Sequence, residues 1–120
     1  MGKQYKELES KIGITFKDRD LLTNVFIHRS YLNEHKNFSI PSFERLEFLG
    51  DSVLSLITSV YLFRNYSELK EGDYTEIKSA IVKTESLAEA ASYLGLSKLL
   101  LLSKGEEKGG GRDNKNILAD

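Results

Sequence analysis

A chain of 120 residues is one domain's worth of protein, long enough to bury roughly two-thirds of the surface its unfolded form exposes. Hydrophobic residues at 40% and charged residues at 29% exclude a disordered tail. Seventeen basic side chains against eighteen acidic ones leave a net charge of −1, so composition gives no sign of a broad electrostatic grip on phosphate backbone.

Other classes fall away on single features. With no cysteine, disulfide frameworks, thiolate zinc sites and cysteine nucleophiles are excluded. No uninterrupted apolar run reaches the ~18 residues of a membrane span. The start, Met1 to Glu7, is polar where a secretory signal needs its apolar stretch. Lys6 stands where N-myristoylation needs Ser or Thr. The expectation is a soluble cytoplasmic protein with no membrane partner.

In chain order, Tyr5, Leu8 and Ile12 have helical spacing, and Gly13 can end that first short helix. Asp18 reads as an N-cap, after which Leu21, Leu22, Val25 and Phe26 form a stripe of period 3.6. The polar stretch from His28 to Ser39 reads as irregular. Past the single proline, Pro41, Ser42 is a fair N-cap for a helix predicted over about Phe43 to Asn65. That helix is apolar around most of its circumference, the mark of a central helix buried by its neighbours, with Tyr61, Phe63 and nearby Tyr66 assigned to the core. Gly72 and Asp73 break the chain and cap a helix through Ile77 and Ile81. Thr84 opens another, ended by Gly95. Leu99 to Leu102 finishes a helix or runs extended. Lys104 to Asn116 reads as a charged Gly-rich loop, and Ile117 starts a last element. The fold class is therefore all-α, a helical bundle around the helix after Pro41.

That central helix carries Glu44, Glu47 and Asp51 at spacings of three and four, which stack the carboxylates on one face where like charges repel. Two readings stand. One is a solvated acidic stripe. The other is a hard-oxygen cation site for Mg²⁺ or Mn²⁺. The apolar surroundings weigh towards the second, and so does Gly50, which costs about 1 kcal/mol in a helix and marks close approach of a partner backbone or a packing need. His28 with Arg29 reads as a capping or loop-packing histidine, or as a phosphate contact. Arg112 in GGGR reads as part of a flexible loop, or as a phosphate ligand beside backbone N–H groups.

The eleven residues from Glu44 to Leu54, ERLEFLGDSVL, resemble the signature of the ribonuclease III family of double-stranded-RNA endonucleases. HRS at His28, KEGD at Lys70, KGEEKGGGR from Lys104 to Arg112 and ILAD at Ile117 follow in the family's order. The resemblance runs from about Ile14 to the last residue and is closer to bacterial members with one nuclease domain than to Dicer or Drosha.

The resemblance implies Glu47, Asp51 and Asp120 as catalytic metal ligands for Mg²⁺, with Mn²⁺ as substitute. It implies Glu44 and Glu71 as further carboxylates near the cleavage site, and Phe48 as an aromatic at a homodimer interface. The implied activity is hydrolysis of duplex RNA, such as ribosomal RNA precursors, to 5′-phosphate and 3′-hydroxyl ends, with no small-molecule cofactor. The alternative is a non-catalytic dimerisation or RNA-scaffold module. Against the family's pattern the chain stops at Asp120, three residues before a second essential Glu. The expectation is therefore a nuclease domain truncated at its C-terminal end, without the double-stranded-RNA-binding domain.

Overall fold

A computed structural model describes residues 3–120; the reading of Met1 and Gly2 lies outside them. Eight α-helices follow one another: α1 Lys6–Ile12, α2 Arg19–Asn24, α3 Arg29–Glu34, α4 Glu44–Asn65, α5 Glu71–Val82, α6 Thr84–Tyr93, α7 Lys104–Lys108 and α8 Lys115–Ala119. Short 3₁₀ turns cover Lys3–Tyr5, Leu96–Leu99 and Gly111–Asp113. Among the described residues the extended contact is one isolated parallel bridge, Ile27 to Leu101. The fold is all-α, as expected.

Local signals place several boundaries. Gly13 and Gly95 adopt left-handed backbone at φ 71° and 72°, a region glycine enters without steric penalty, and each ends its helix. The Asp18 carboxylate accepts the Leu21 N–H at 3.0 Å, capping α2. Lys70 occupies the cap position of α5, and Asp73, from inside the first turn, accepts the Lys70 N–H at 3.2 Å. The expected break at Gly72 is thus already helix.

Four other expectations are corrected. His28 to Ser39 is not irregular throughout, because the His28 ring caps α3. The segment from Lys104 is not all loop: Ser103 Oγ accepts the Glu106 N–H at 3.0 Å and starts α7. Neither Ser42 nor Thr84 caps with its hydroxyl. The cap positions are Phe43 and Lys83, neither with a side-chain cap. Phe43 is seated by its own N–H, which donates to the Ile27 carbonyl at 2.9 Å.

Two apolar clusters form the core. Tyr5, Leu8, Leu22 and Phe26 make the first, with Tyr5 and Phe26 stacked at 5.4 Å and the Tyr5 hydroxyl donating to Thr23 Oγ1 at 3.2 Å. Beneath it the Glu9 carboxylate accepts from Arg19 at 2.8 Å and the Phe16 N–H at 2.7 Å. These donors hold its carboxyl below the usual range, the Arg19 hydrogen bond first. Phe43, Leu100 and Leu102 make the second cluster, with Ile117 and Leu118 against it.

The long helix is the largest departure. Of its 22 residues only Thr58 and Leu62 are buried, while Phe48 is 81% exposed and Phe63 76%. Tyr61 and Tyr66 are exposed as well, so none of the three aromatics assigned to the core packs there. With α5 alongside it, α4 forms an arm on a molecule 53 Å long and 23 Å thin. By length and composition alone α4 is long and apolar enough to match a membrane span. Its first two turns nonetheless carry Glu44, Glu47 and Asp51.

Candidate active site

The site is assembled around one buried residue. Ile27 is 0% exposed, and the backbone on either side of it anchors three segments. The Phe26 carbonyl accepts from Leu101 N–H at 2.8 Å, the Ile27 carbonyl takes Phe43 N–H, and His28 N–H donates to the Leu101 carbonyl at 3.1 Å. The start of α3, the first turn of α4 and the strand-like Leu100–Leu102 run are therefore fixed together. Buried backbone groups demand partners, and here they find them across more than seventy residues of sequence.

Two clefts open over this junction and share Phe43, Glu47 and Asp120. One, of about 410 Å³, is walled by Glu47, Gly50 and Asp51 from α4, Thr84 and Leu87 from α6, and Asp120 after α8. The other, of about 400 Å³, is lined by His28, Arg29, Phe43, Glu44, Glu47 and Asp120. Packing of α6 on α8 carries Asp120 to α4. Gly50 does not meet a close backbone: a Cβ there would touch nothing within 4 Å, and its helix surface opens on the first cleft.

The electrostatics converge on Glu47. Burial raises its carboxyl above the ordinary range, the Asp120 charge and hydrogen bonding with Asp120 raise it further, and the Asp51 and Glu44 charges add to this. Glu47 and Asp120 are thus a close carboxylate pair, with Asp51 on the wall of the first cleft and Glu44 lining the second. Among the described residues no three His, Asp or Glu side chains stand together as a ready-made ion cage. The donor chemistry still fits a hard divalent cation. The groups are all carboxylate oxygens, and Glu47 is raised by burial first and then by the neighbouring acids Asp120, Asp51 and Glu44. The nearest cation on the Glu44 side is Arg29, 3.9 Å away on an exposed surface, a pair of small worth.

The remaining candidates separate. His28 is at the site, capping α3 and lining the second cleft. Arg112 is not among the residues of either cleft. Its guanidinium donates to the Ser97 carbonyl at 2.6 Å, the Leu100 carbonyl at 3.0 Å and Glu107 at 2.7 Å, so it braces the Gly-rich segment instead of facing solvent as a phosphate ligand. Glu71 opens α5 beside the far end of α4, about 27 Å along the helix from Glu47, and does not join the acids of its own chain. Phe48 lies on α4 next to an apolar groove shared with Leu21, Pro41 and Leu49. Sequence reading missed Thr84 and Leu87 as walls of the site. The only available signal was helical spacing, which places them on a helix without saying what that helix faces.

An all-α domain whose acids from α4 and from the chain after α8 face each other across a cleft is what fold and site define. Residues 18–120 match the model of the Ribonuclease-III-like family, and the chain belongs to that family. It is 48% identical over 117 residues to the ribonuclease 3 of Listeria monocytogenes serotype 4a, covering 98% of this chain and 51% of that protein. With the ribonuclease 3 of Shouchella clausii the identity is 49% over 118 residues, covering 98% and 45%. The fold superposes on the nuclease domain of ribonuclease III from Campylobacter jejuni with a TM-score of 0.86 at 36% identity, covering 96% of this chain and 76% of that one. That structure concerns flexibility in a region involved in dimer formation. The chain spans about half the length of the curated relatives it matches.

Proposed function

We propose that this chain is the nuclease domain of a Mg²⁺-dependent endoribonuclease that hydrolyses phosphodiesters of double-stranded RNA, leaving 5′-phosphate and 3′-hydroxyl ends. The observation that carries this is the pairing of half-buried Glu47 with Asp120 in a cleft that Asp51 also lines, in a member of the ribonuclease III-like family. Glu47, Asp51 and Asp120 would hold the cation, with Mn²⁺ as substitute. When bound, it supplies positive charge for a transferring phosphoryl group and lowers the pKa of its water.

The chain's own residues do the rest. The junction at Ile27 seats the first turn of α4, and packing of α6 on α8 carries Asp120 to the acids there. Phe43 and Leu87 give the cleft apolar walls, which strengthens every charge interaction inside it. A duplex is recognised by its shape and 2′-hydroxyls, since the deep, narrow major groove of A-form RNA cannot be read by side chains. The exposed apolar stripe of α4 around Phe48 and Leu49 is read as the contact of a homodimer, which sets two clefts on one duplex. Ribosomal RNA precursors in the cytoplasm are the substrates this reading favours.

The full-length protein that carries this domain, incubated with a long RNA duplex, should cleave it in Mg²⁺ or Mn²⁺ and not in EDTA. Asp51→Ala should remove cleavage while leaving the fold intact by circular dichroism, since Asp51 is exposed and makes no packing contact in the core. Undiminished cleavage by Asp51→Ala would defeat the ligand assignment. Duplex binding without cleavage in either metal would establish the scaffold alternative.

A further inference from the structure

The His28 ring is held in one tautomer by a short relay. Its Nδ1 lies 3.2 Å from the Ser30 backbone nitrogen and 2.8 Å from Ser30 Oγ. A backbone N–H can only donate, so Nδ1 must accept, and the ring proton sits on Nε2. Ser30 Oγ in turn accepts the Ser103 N–H at 3.0 Å, which directs the hydroxyl's own hydrogen towards His28 Nδ1. Two donors therefore converge on Nδ1. The second of them is pinned from a segment 73 residues away, just before α7.

The position of the ring is fixed just as firmly. His28 N–H is bonded to the Leu101 carbonyl, and Phe43 meets the imidazole edge-on at 6.0 Å. The ring lines the cleft that Glu47 and Asp120 share, and among the described residues no hydrogen bond is formed by Nε2. An N–H donor at Nε2 is free to serve a ligand in that cleft.

We propose that His28 is a binding residue for the RNA strand, its Nε2–H donating to a non-bridging phosphate oxygen beside the acids, and that Ser30 and the Ser103 amide are there to hold that tautomer. This rests on the endoribonuclease reading of the same cleft. It also gives the histidine and the serine two residues later one shared purpose: Nδ1 caps the helix while Nε2 serves the ligand.

The test separates the two ends of the ring. Asn is a good N-cap and can accept the Ser30 N–H as Nδ1 does, but it has no donor at the position of Nε2. His28→Asn should therefore melt close to the unaltered protein and bind a perfectly paired RNA duplex, at fixed salt and in EDTA, about tenfold or more weakly, as expected for loss of one hydrogen bond to a charged group. Nitrogen-15 spectra of the free protein should show Nε2 protonated and Nδ1 bare, and Ser30→Ala should mix the tautomers and weaken binding by a smaller factor. Three results would overturn the inference: a proton on Nδ1, His28→Asn binding within twofold of the unaltered protein, or His28→Asn losing affinity only in proportion to lost folding. If the unaltered protein does not bind duplex RNA at all, both this inference and the endoribonuclease reading fail. Unchanged binding by His28→Asn with normal binding otherwise removes this inference alone.

Discussion

The body and the arm of this molecule use apolar residues in opposite ways. In the body, short helices and the segments between them supply the buried core, from Tyr5 and Leu22 to Ile27, Ala88 and Leu100. In the arm, a 22-residue helix made largely of Leu, Ile, Val and Phe leaves most of those side chains in water. Short helices are marginal alone and exist because packing stabilises them, so their apolar positions are committed to the chain's own core. A long helix can stand on its internal hydrogen bonds with its apolar face uncommitted, and a contiguous exposed patch of that kind marks an interaction surface. The acids sit where the two regions meet, at the first turns of α4, so the site draws rigidity from one and reach from the other.

The sharpest way to break this contrast is to truncate one residue in each region. Ile27→Ala, at the pin of the body, should lower stability by about 2–5 kcal/mol, read from urea unfolding. Phe63→Ala on the arm of the monomer should change it by less than ~0.5 kcal/mol despite deleting a larger side chain. Equal losses at the two sites would mean the arm is no free surface. Next in size, Phe48→Ala should leave the melting temperature of dilute protein unchanged yet weaken self-association roughly tenfold or more in sedimentation equilibrium, the behaviour of an interface anchor. Concentration-independent monomer in the unaltered protein would refute that.

The smallest effect sharpens the junction between the regions. Because burial and the neighbouring acids hold Glu47 above the ordinary carboxylate value, the folded chain binds a proton there more tightly than the unfolded chain. Stability therefore falls as pH rises from the unfolded value through the raised folded one, and at neutral pH the ionised Glu47 is destabilising. Glu47→Gln should melt higher than the unaltered protein at pH 7, with the gap narrowing as pH falls through the raised folded value to the ordinary Glu value. A lower melting temperature for Glu47→Gln at pH 7 would show that its ionised form is already balanced by a cation. The Glu9 carboxyl behaves in the opposite sense. Held low by Arg19, it contributes stability above its unfolded value that disappears as pH falls through the depressed folded one, so Glu9→Gln should narrow its deficit in acid.

Where the sequence was legible, the governing physics was local. Asp18 caps its helix and Gly13 and Gly95 end theirs because side-chain hydrogen bonding and left-handed backbone are properties of a few consecutive residues. His28 was weighed as a cap and acts as one, but the helix it starts went unseen, since histidine is an uncommon cap and α3 has only six residues. The Gly-rich segment was misread for a similar reason. Its order comes from Ser103 and from Arg112 reaching back to the carbonyls of Ser97 and Leu100. The burial of α4 was misjudged because the apolar pattern of a helix records that a face wants covering and says nothing of what covers it.

By itself, then, the sequence determined an all-α domain, most of its helix starts and stops, and a run of acids at helical spacing within a signature of the ribonuclease III family. Each of these depends on neighbours a turn or two away. The tertiary structure decided what those neighbours cannot specify. Backbone hydrogen bonds at Ile27 join α3, α4 and the Leu101 run, packing of α6 on α8 brings Asp120 to Glu47, and the apolar side of α4 is left outside the core. The reason is that carboxylates over seventy residues apart repel, and only a packed framework with many other favourable contacts holds them together. Their closeness is visible in Glu47, whose carboxyl is raised by burial first and then by Asp120, Asp51 and Glu44.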